Sequence, residues 1–133
     1  MKLVNTVKSL ILEVASIDAI TDAIKNKRTV VIYYDGDEPG GRGLREIEPV
    51  CFGYSKKDNP VLRAWDFEGS SHTAYIGDQP LPSWRLFRVD KILSFKPVGN
   101  FTEPRPGYNF NGDKSMKRVI INAQFDNNPA VTT

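Results

Sequence analysis

The sequence is poor in the residues on which metal and covalent chemistry depend. Cys51 is the single cysteine and His72 the single histidine among 133 residues. One cysteine excludes an internal disulfide and fits a reducing compartment, so a cytoplasmic location is expected. One cysteine and one histidine are also too few soft ligands for a zinc site of the usual type. His72 follows Ser70 and Ser71 in a polar stretch with no nucleophile-elbow signature. Hydrolysis needs a base, an orienting acid and an oxyanion hole held together, so no enzyme is expected. Charge of one sign is scarce too: 18 Lys and Arg against 16 Asp and Glu leave a net +2. A non-specific DNA binder usually carries a larger basic excess. No apolar run approaches the ~20 residues that cross a bilayer, so no membrane partner is expected. The opening Met1-Lys2-Leu3-Val4 meets polar residues before a signal-peptide core can form. Gly40-Gly41-Arg42-Gly43 lacks the lysine and spacing of a P-loop, and Asp35, Asp37 and Glu38 lack the calcium-loop pattern. No cofactor and no metal are expected.

What remains is an ordinary globular composition, 40% hydrophobic and 26% charged, enough for one domain with its own core. Val7, Leu10, Ile11, Val14, Ile17, Ile20, Ala23 and Ile24 recur at three- and four-residue spacing, the apolar stripe of a helix or helix pair. Ser16 and Asp18 are candidate caps for a segment over 17–26. Residues 29–34 concentrate β-branched and aromatic side chains and predict a strand. The stretch 35–43, with four glycines and a proline, predicts a loop over which Arg42 can close on an anion. Further strands are expected over 44–54, 61–67, 84–89 and 92–98, with Pro49 marking an edge or a bulge. Short strands in meander order after a helix predict a mostly-β or α+β domain, a small, strongly bent five-stranded barrel that with its helix covers 1–98. Residues 99–133 read as an extended arm rich in Pro, Gly and Asn. The arm carries a sixth candidate strand over 116–125, with Val119, Ile121, Ala123 and Phe125 on one face, to pair with a barrel edge or a neighbouring chain.

The densest signal is Trp84-Arg85-Leu86-Phe87-Arg88-Val89-Asp90-Lys91-Ile92. Alternation places Phe87 and Val89 on one face and Trp84, Leu86 and Arg88 on the other. Arg85 shares parity with Phe87 and must escape the core at a rim. Cations held on a rigid strand and its corner are either an anion site or a solvated face. The structural alternative has Arg88 or Arg85 paired with Asp66, Glu46 or Asp90. Cys51, inside a strand, reads as a small core residue.

This stretch, with Asp18-Ala19-Ile20 to Lys27, Val30 to Tyr34 and Arg45-Glu46-Ile47-Glu48-Pro49, resembles the WYL domain, a small SH3/Sm-like barrel module of bacterial and phage regulators. The likeness spans about 17–98, and its most specific part is W-R-L-F-R-V-D-K-I, close to the W-R-T-F-R-L-D-R-I common in that family. Pro60-Val61-Leu62 stands where Trp-Tyr-Leu gives the family its name, followed by Arg63-Ala64-Trp65-Asp66. The resemblance implies a non-enzymatic sensor that binds nucleic acid or a nucleotide-type anion in a basic groove, in a regulatory setting. Residues 1–16 are too few for a helix-turn-helix, so a nearly free-standing copy is expected.

Carried over from the resemblance, Arg88, Lys91, Arg85 and Arg45 form the anion-contacting set. Arginine suits phosphate because its planar fork donates two parallel hydrogen bonds. Arg63 and Trp65 share a strand face, a cation beside a stacking platform, and Tyr33 is a second aromatic candidate. A competing expectation is a structural or interaction protein, a recruited barrel whose arm assembles with a protein partner or a homo-oligomer.

Overall fold

The computed structural model describes residues 15–36, 42–69 and 83–125. The chain order is α1 (Ile17–Lys25), β1 (Arg28–Asp35), β2 (Arg42–Ser55), β3 (Pro60–Gly69), β4 (Ser83–Arg88), a 3-10 turn (Val89–Lys91), β5 (Ile92–Asn100) and β6 (Met116–Asn122). All six strands form one antiparallel sheet, in the order β4-β3-β2-β1-β5 with β6 added beside β2. The protein is therefore mostly β with one described helix. The expected helical positions Val7 to Val14, together with Asp37, Glu38 and His72, lie outside the described residues.

The helix starts where the sequence supplies a cap: Ser16 Oγ accepts from the Ala19 N–H at 3.0 Å. Asp18 sits in the first turn and Lys25 in the last, each favourable to the helix dipole. The helix ends at Asn26, followed by Lys27 in the left-handed region at φ 52°. Ile20, Ala23 and Ile24 are fully buried, whereas Ile17, read as part of the same stripe, is half exposed. They pack with Val30, Ile32, Ile47, Phe52, Leu62, Ala64 and Phe87 in the core.

The long β2 organises the sheet. Its first half pairs with β1 (Val30↔Ile47 to Asp35↔Arg42), and its second half pairs on the same edge with β6 (Cys51↔Asn122 to Ser55↔Met116). Pro49 falls between the two halves, opposite Ala64 of β3, and the β2–β3 register shifts between Pro49 and Cys51. Of the two expectations for Pro49, an edge or a bulge, the register shift in this central strand fits the bulge. Gly53 lets β6 approach: a Cβ there would clash with the Arg118 carbonyl oxygen and lie 2.8 Å from Met116 Sδ.

The sixth strand belongs to this same sheet, and the arm leading to it folds back onto the sheet. The β2–β6 register shifts between Phe52 and Gly53, skipping Ile120. That irregularity breaks the alternation expected over 116–125: Ala123 and Phe125 are buried, but Val119 is 40% exposed.

Candidate functional site

Successive residues of β3 face opposite ways. Leu62, Ala64 and Asp66 point into the core, while Arg63, Trp65 and Phe67 are half-buried on the outer face. Residues 105–115 lie across that outer face. Arg105 makes a two-pronged bond to Glu48, Nε to Oε1 at 3.0 Å and Nη2 to Oε2 at 2.9 Å, with its guanidinium 4.7 Å over the Phe67 ring. The Glu48 bond raises the Arg105 pKa further, against the opposing effect of burial. Trp84 Nε1 donates to the Pro106 carbonyl at 2.8 Å, and the Tyr108 hydroxyl donates to the Ala123 carbonyl. Gly107, at φ +86°, passes so close to the indole that a Cβ would stand 3.2 Å from Trp84 Nε1. Burial, then the neighbouring Cys51, raises the Tyr108 pKa, which keeps the phenol protonated.

Between the crossing segment and the sheet lies a cleft of about 220 Å³. Val50 and Cys51 line its buried side; Trp84 and Tyr108 supply aromatic surface, their centroids 6.3 Å apart and planes at 33°. Arg63, Asp113 and Asn109 are its polar residues, with Gly107 and Gly112 at the backbone. Arg63 Nε donates to Asp113 Oδ2 at 2.6 Å, and Nη2 reaches Asp113 Oδ1 at 3.3 Å and Ser115 Oγ at 3.1 Å. Its Nη1 makes no hydrogen bond among the described residues, and the side chain keeps 25% exposure. Burial alone would raise the Asp113 pKa. Hydrogen bonds from Arg63 and Ser115, with the Arg63 charge, hold it below the ordinary aspartate value instead. Burial, reinforced by Asp113 and opposed by Arg63, pushes the Cys51 thiol up to about 12. A thiol so protonated at neutral pH is a poor nucleophile, consistent with the packing role read for it.

The residues expected to form the site are spread over several places. Arg63 reaches the cleft, and Trp65 lies directly opposite Trp84 in the ladder, edge to face at 5.2 Å between centroids. Arg45 is on the core side, 3% exposed, donating from Nη1 to the fully buried Asp66 Oδ2 at 2.8 Å. Its guanidinium lies 5.4 Å from the Phe87 centroid and 5.6 Å from that of Tyr34. Arg85 joins this cluster: burial lowers its pKa, the Asp66 charge raises it and Arg45 lowers it again. The rim position inferred from its parity is therefore beside a buried carboxylate. Arg88 turns back on Asp90, with Nε to Oδ1 at 3.0 Å and Nη2 to Oδ2 at 2.7 Å. Its backbone N–H donates to the Tyr34 hydroxyl at 3.0 Å. Lys91 closes the 3-10 turn, and Tyr33 stands on β1 between Leu44 and Ser94. Arg42 pairs across the β1–β2 ladder with Asp35 at 2.6 Å.

Sequence reasoning missed Tyr108, Asn109 and Asp113 of the cleft, because a Pro- and Gly-rich segment reads as a linker. The aromatic pair Tyr108 and Phe110 inside that segment was the available signal, since linkers rarely need aromatics. Among the described residues no group of three His, Cys, Asp or Glu side chains is placed to hold a metal. No described helix is long and apolar enough to cross a membrane. The chain matches no family model, no curated protein and no solved structure.

Proposed function

We propose that the chain is a non-enzymatic binding module, a WYL-like small barrel, whose outer cleft receives the base of a nucleotide or nucleic acid. The observation that carries this reading is the cleft itself: two aromatic rings, a part-free guanidinium, a carboxylate and an amide around about 220 Å³. That volume lies below the ~300–1,000 Å³ of pockets for drug-sized ligands and suits one planar group. The rings of Trp84 and Tyr108, 6.3 Å apart, are closer than the about 7 Å that a sandwiched base needs, so the base stacks on one ring. Asn109 and Asp113 offer hydrogen bonds to its edge, and Arg63 Nη1 offers a donor to an anionic group. The cations of the expected groove support the reading less: Arg45 is buried against Asp66, and Arg88, held by Asp90 much as Arg63 is held by Asp113, does not line the cleft. The anion is therefore met at Arg63 rather than at the 84–92 strand.

Calorimetric titration with the four nucleoside 5′-monophosphates tests this. Saturable binding is expected, weakened about ten- to hundredfold in Trp84→Leu, as loss of one stacking platform predicts. No binding of any of the four by the folded chain would remove the reading.

A second reading, assembly with a partner or a second copy, is favoured by one observation. The outer edge of β5 has no partner among the described residues, and it carries Leu93 and Val98, each about half exposed. It predicts a sedimentation mass above the monomer that falls when Leu93 is replaced by Lys.

A further inference from the structure

The β2–β3 hairpin closes through Asp58 N–H to Ser55 O and Ser55 N–H to Asn59 O, both at 2.9 Å, with Asp58 left-handed at φ 66°. A turn of that form puts Lys56 and Lys57 at its tip, and both are exposed. Antiparallel pairing of Tyr54 with Arg118 and Ser55 with Met116 brings the start of β6 to the same end of the sheet. Lys114, Lys117 and Arg118 are exposed there. Segments 55–59 and 113–118 together hold five cations and two carboxylates, a net +3 against +2 for the whole chain, so the remainder is net −1. Both carboxylates are engaged, Asp58 by Lys117 at 2.6 Å and Asp113 by Arg63. Lys56, Lys57, Lys114 and Arg118 have no acidic partner among the described residues.

Lysines on an edge strand can serve only to discourage strand pairing. Two observations point beyond that role. The Arg118 guanidinium lies 4.5 Å over the Tyr54 ring, which holds a cation against a rigid strand. The corner is also continuous with the cleft: Asp113 lines it, Ser115 Oγ accepts from Arg63, and Lys114 lies between them. Cations begin where the aromatic surface ends. A duplex keeps its bases paired and inside, so it cannot use the two surfaces together; an unpaired strand can.

We propose that Lys56, Lys57, Lys114 and Arg118 form a phosphate-contacting corner for the backbone of a single-stranded nucleic acid. The choice of a single strand rests on the cleft reading above; the corner itself rests on charge and placement. Four phosphate contacts on a single strand predict that log K falls against log salt with a slope of about −3. Anisotropy titrations of the full chain with a fluorescent oligo-dT, about ten nucleotides long to span such a site, measure this across a salt series.

Lys56→Gln/Lys57→Gln is expected to bind at least fivefold more weakly at low salt, with the slope reduced by about 1.4. The equal charge change Lys25→Gln/Lys96→Gln, at exposed sites elsewhere, is expected to stay within twofold of wild type. All four substitutions are at surface positions, and unchanged thermal midpoints verify the fold. The corner is overturned if the two double variants weaken binding equally, or if the oligonucleotide does not bind. Duplex of equal length binding as tightly as the single strand overturns the single-strand assignment. Mononucleotide affinity unchanged in Lys56→Gln/Lys57→Gln separates the surfaces. Loss of mononucleotide binding with a salt-sensitive oligonucleotide complex intact would remove the cleft and leave the corner standing.

Discussion

Replacing Arg45 distinguishes a residue that holds the fold from one that holds a ligand. Its side chain is 3% exposed and its partner Asp66 is fully buried, with 2.8 Å between Nη1 and Oδ2. Arg45→Ala would leave a carboxylate in the core without its principal cation, a change that costs ~3–5 kcal/mol. The lost contacts with the Tyr34 and Phe87 rings add to that cost, while the charge of Arg85 offsets part of it. The lower end, about 3 kcal/mol, is the expected value. For a chain of this length that is a fall in thermal midpoint of roughly 10–15 °C. Arg45→Met/Asp66→Val removes both charges with little change in volume, so it should lie within about 1–2 kcal/mol of wild type. Urea unfolding of the three proteins measures both quantities, provided the transitions remain two-state. Mononucleotide binding at 10 °C should be unaffected in whichever variants stay folded. A midpoint lowered by less than about 3 °C, together with a tenfold loss of affinity, would refute the structural assignment and return Arg45 to the ligand site.

Three other changes report on the crossing segment and the β6 ladder. Gly53→Ala drives a Cβ into the Arg118 backbone, so it should cost about 2–3 kcal/mol and strip β6 amides of exchange protection; protected β6 amides would contradict the close approach. Asp113 has a folded pKa below the ordinary ~3.9, so its stabilisation is present above about pH 4 and is lost as pH falls through the folded value. The urea midpoint of wild type should accordingly drop more steeply than that of Asp113→Asn as pH falls below about 4, and parallel curves would count against the Arg63 latch. Cys51, buried, with its pKa near 12 and its thiol 3.6 Å from Met116 Sδ, should react with a thiol reagent at neutral pH only when the chain unfolds; labelling of the native protein within minutes would contradict its burial.

The strands were legible because each carries its own local signal. Val30 and Ile32 are β-branched and alternate with half-buried neighbours, and Ser55 to Asn59 is a turn sequence that folds as one. The helix was legible from Ser16 and from the spacing of Ile20, Ala23 and Ile24. Pairings between distant residues were not. Alternation says which face Arg45 and Arg63 occupy, but not that Asp66 waits 21 residues away for one and Asp113 waits 50 residues away for the other. The Arg88 ion pair has a local origin: the 3-10 turn after it swings Asp90 back onto its guanidinium, the structural alternative that the sequence also offered. Residues 101–115 are irregular, as their prolines and glycines imply, yet irregular backbone can still dock. Phe101 is buried and Tyr108 packs against the core, which composition alone does not encode.

The two tryptophans, Trp65 and Trp84, are ring partners beside the cleft, so tryptophan fluorescence reports on that place alone. Trp65→Phe leaves Trp84 as the sole tryptophan, which excitation at the red edge of the absorption band selects over the tyrosines. Titrating this variant with a nucleoside 5′-monophosphate should quench Trp84 saturably, with the same half-saturation found by calorimetry. Calorimetric binding that leaves the Trp84 emission unchanged would place the ligand elsewhere and contradict the cleft as the binding site.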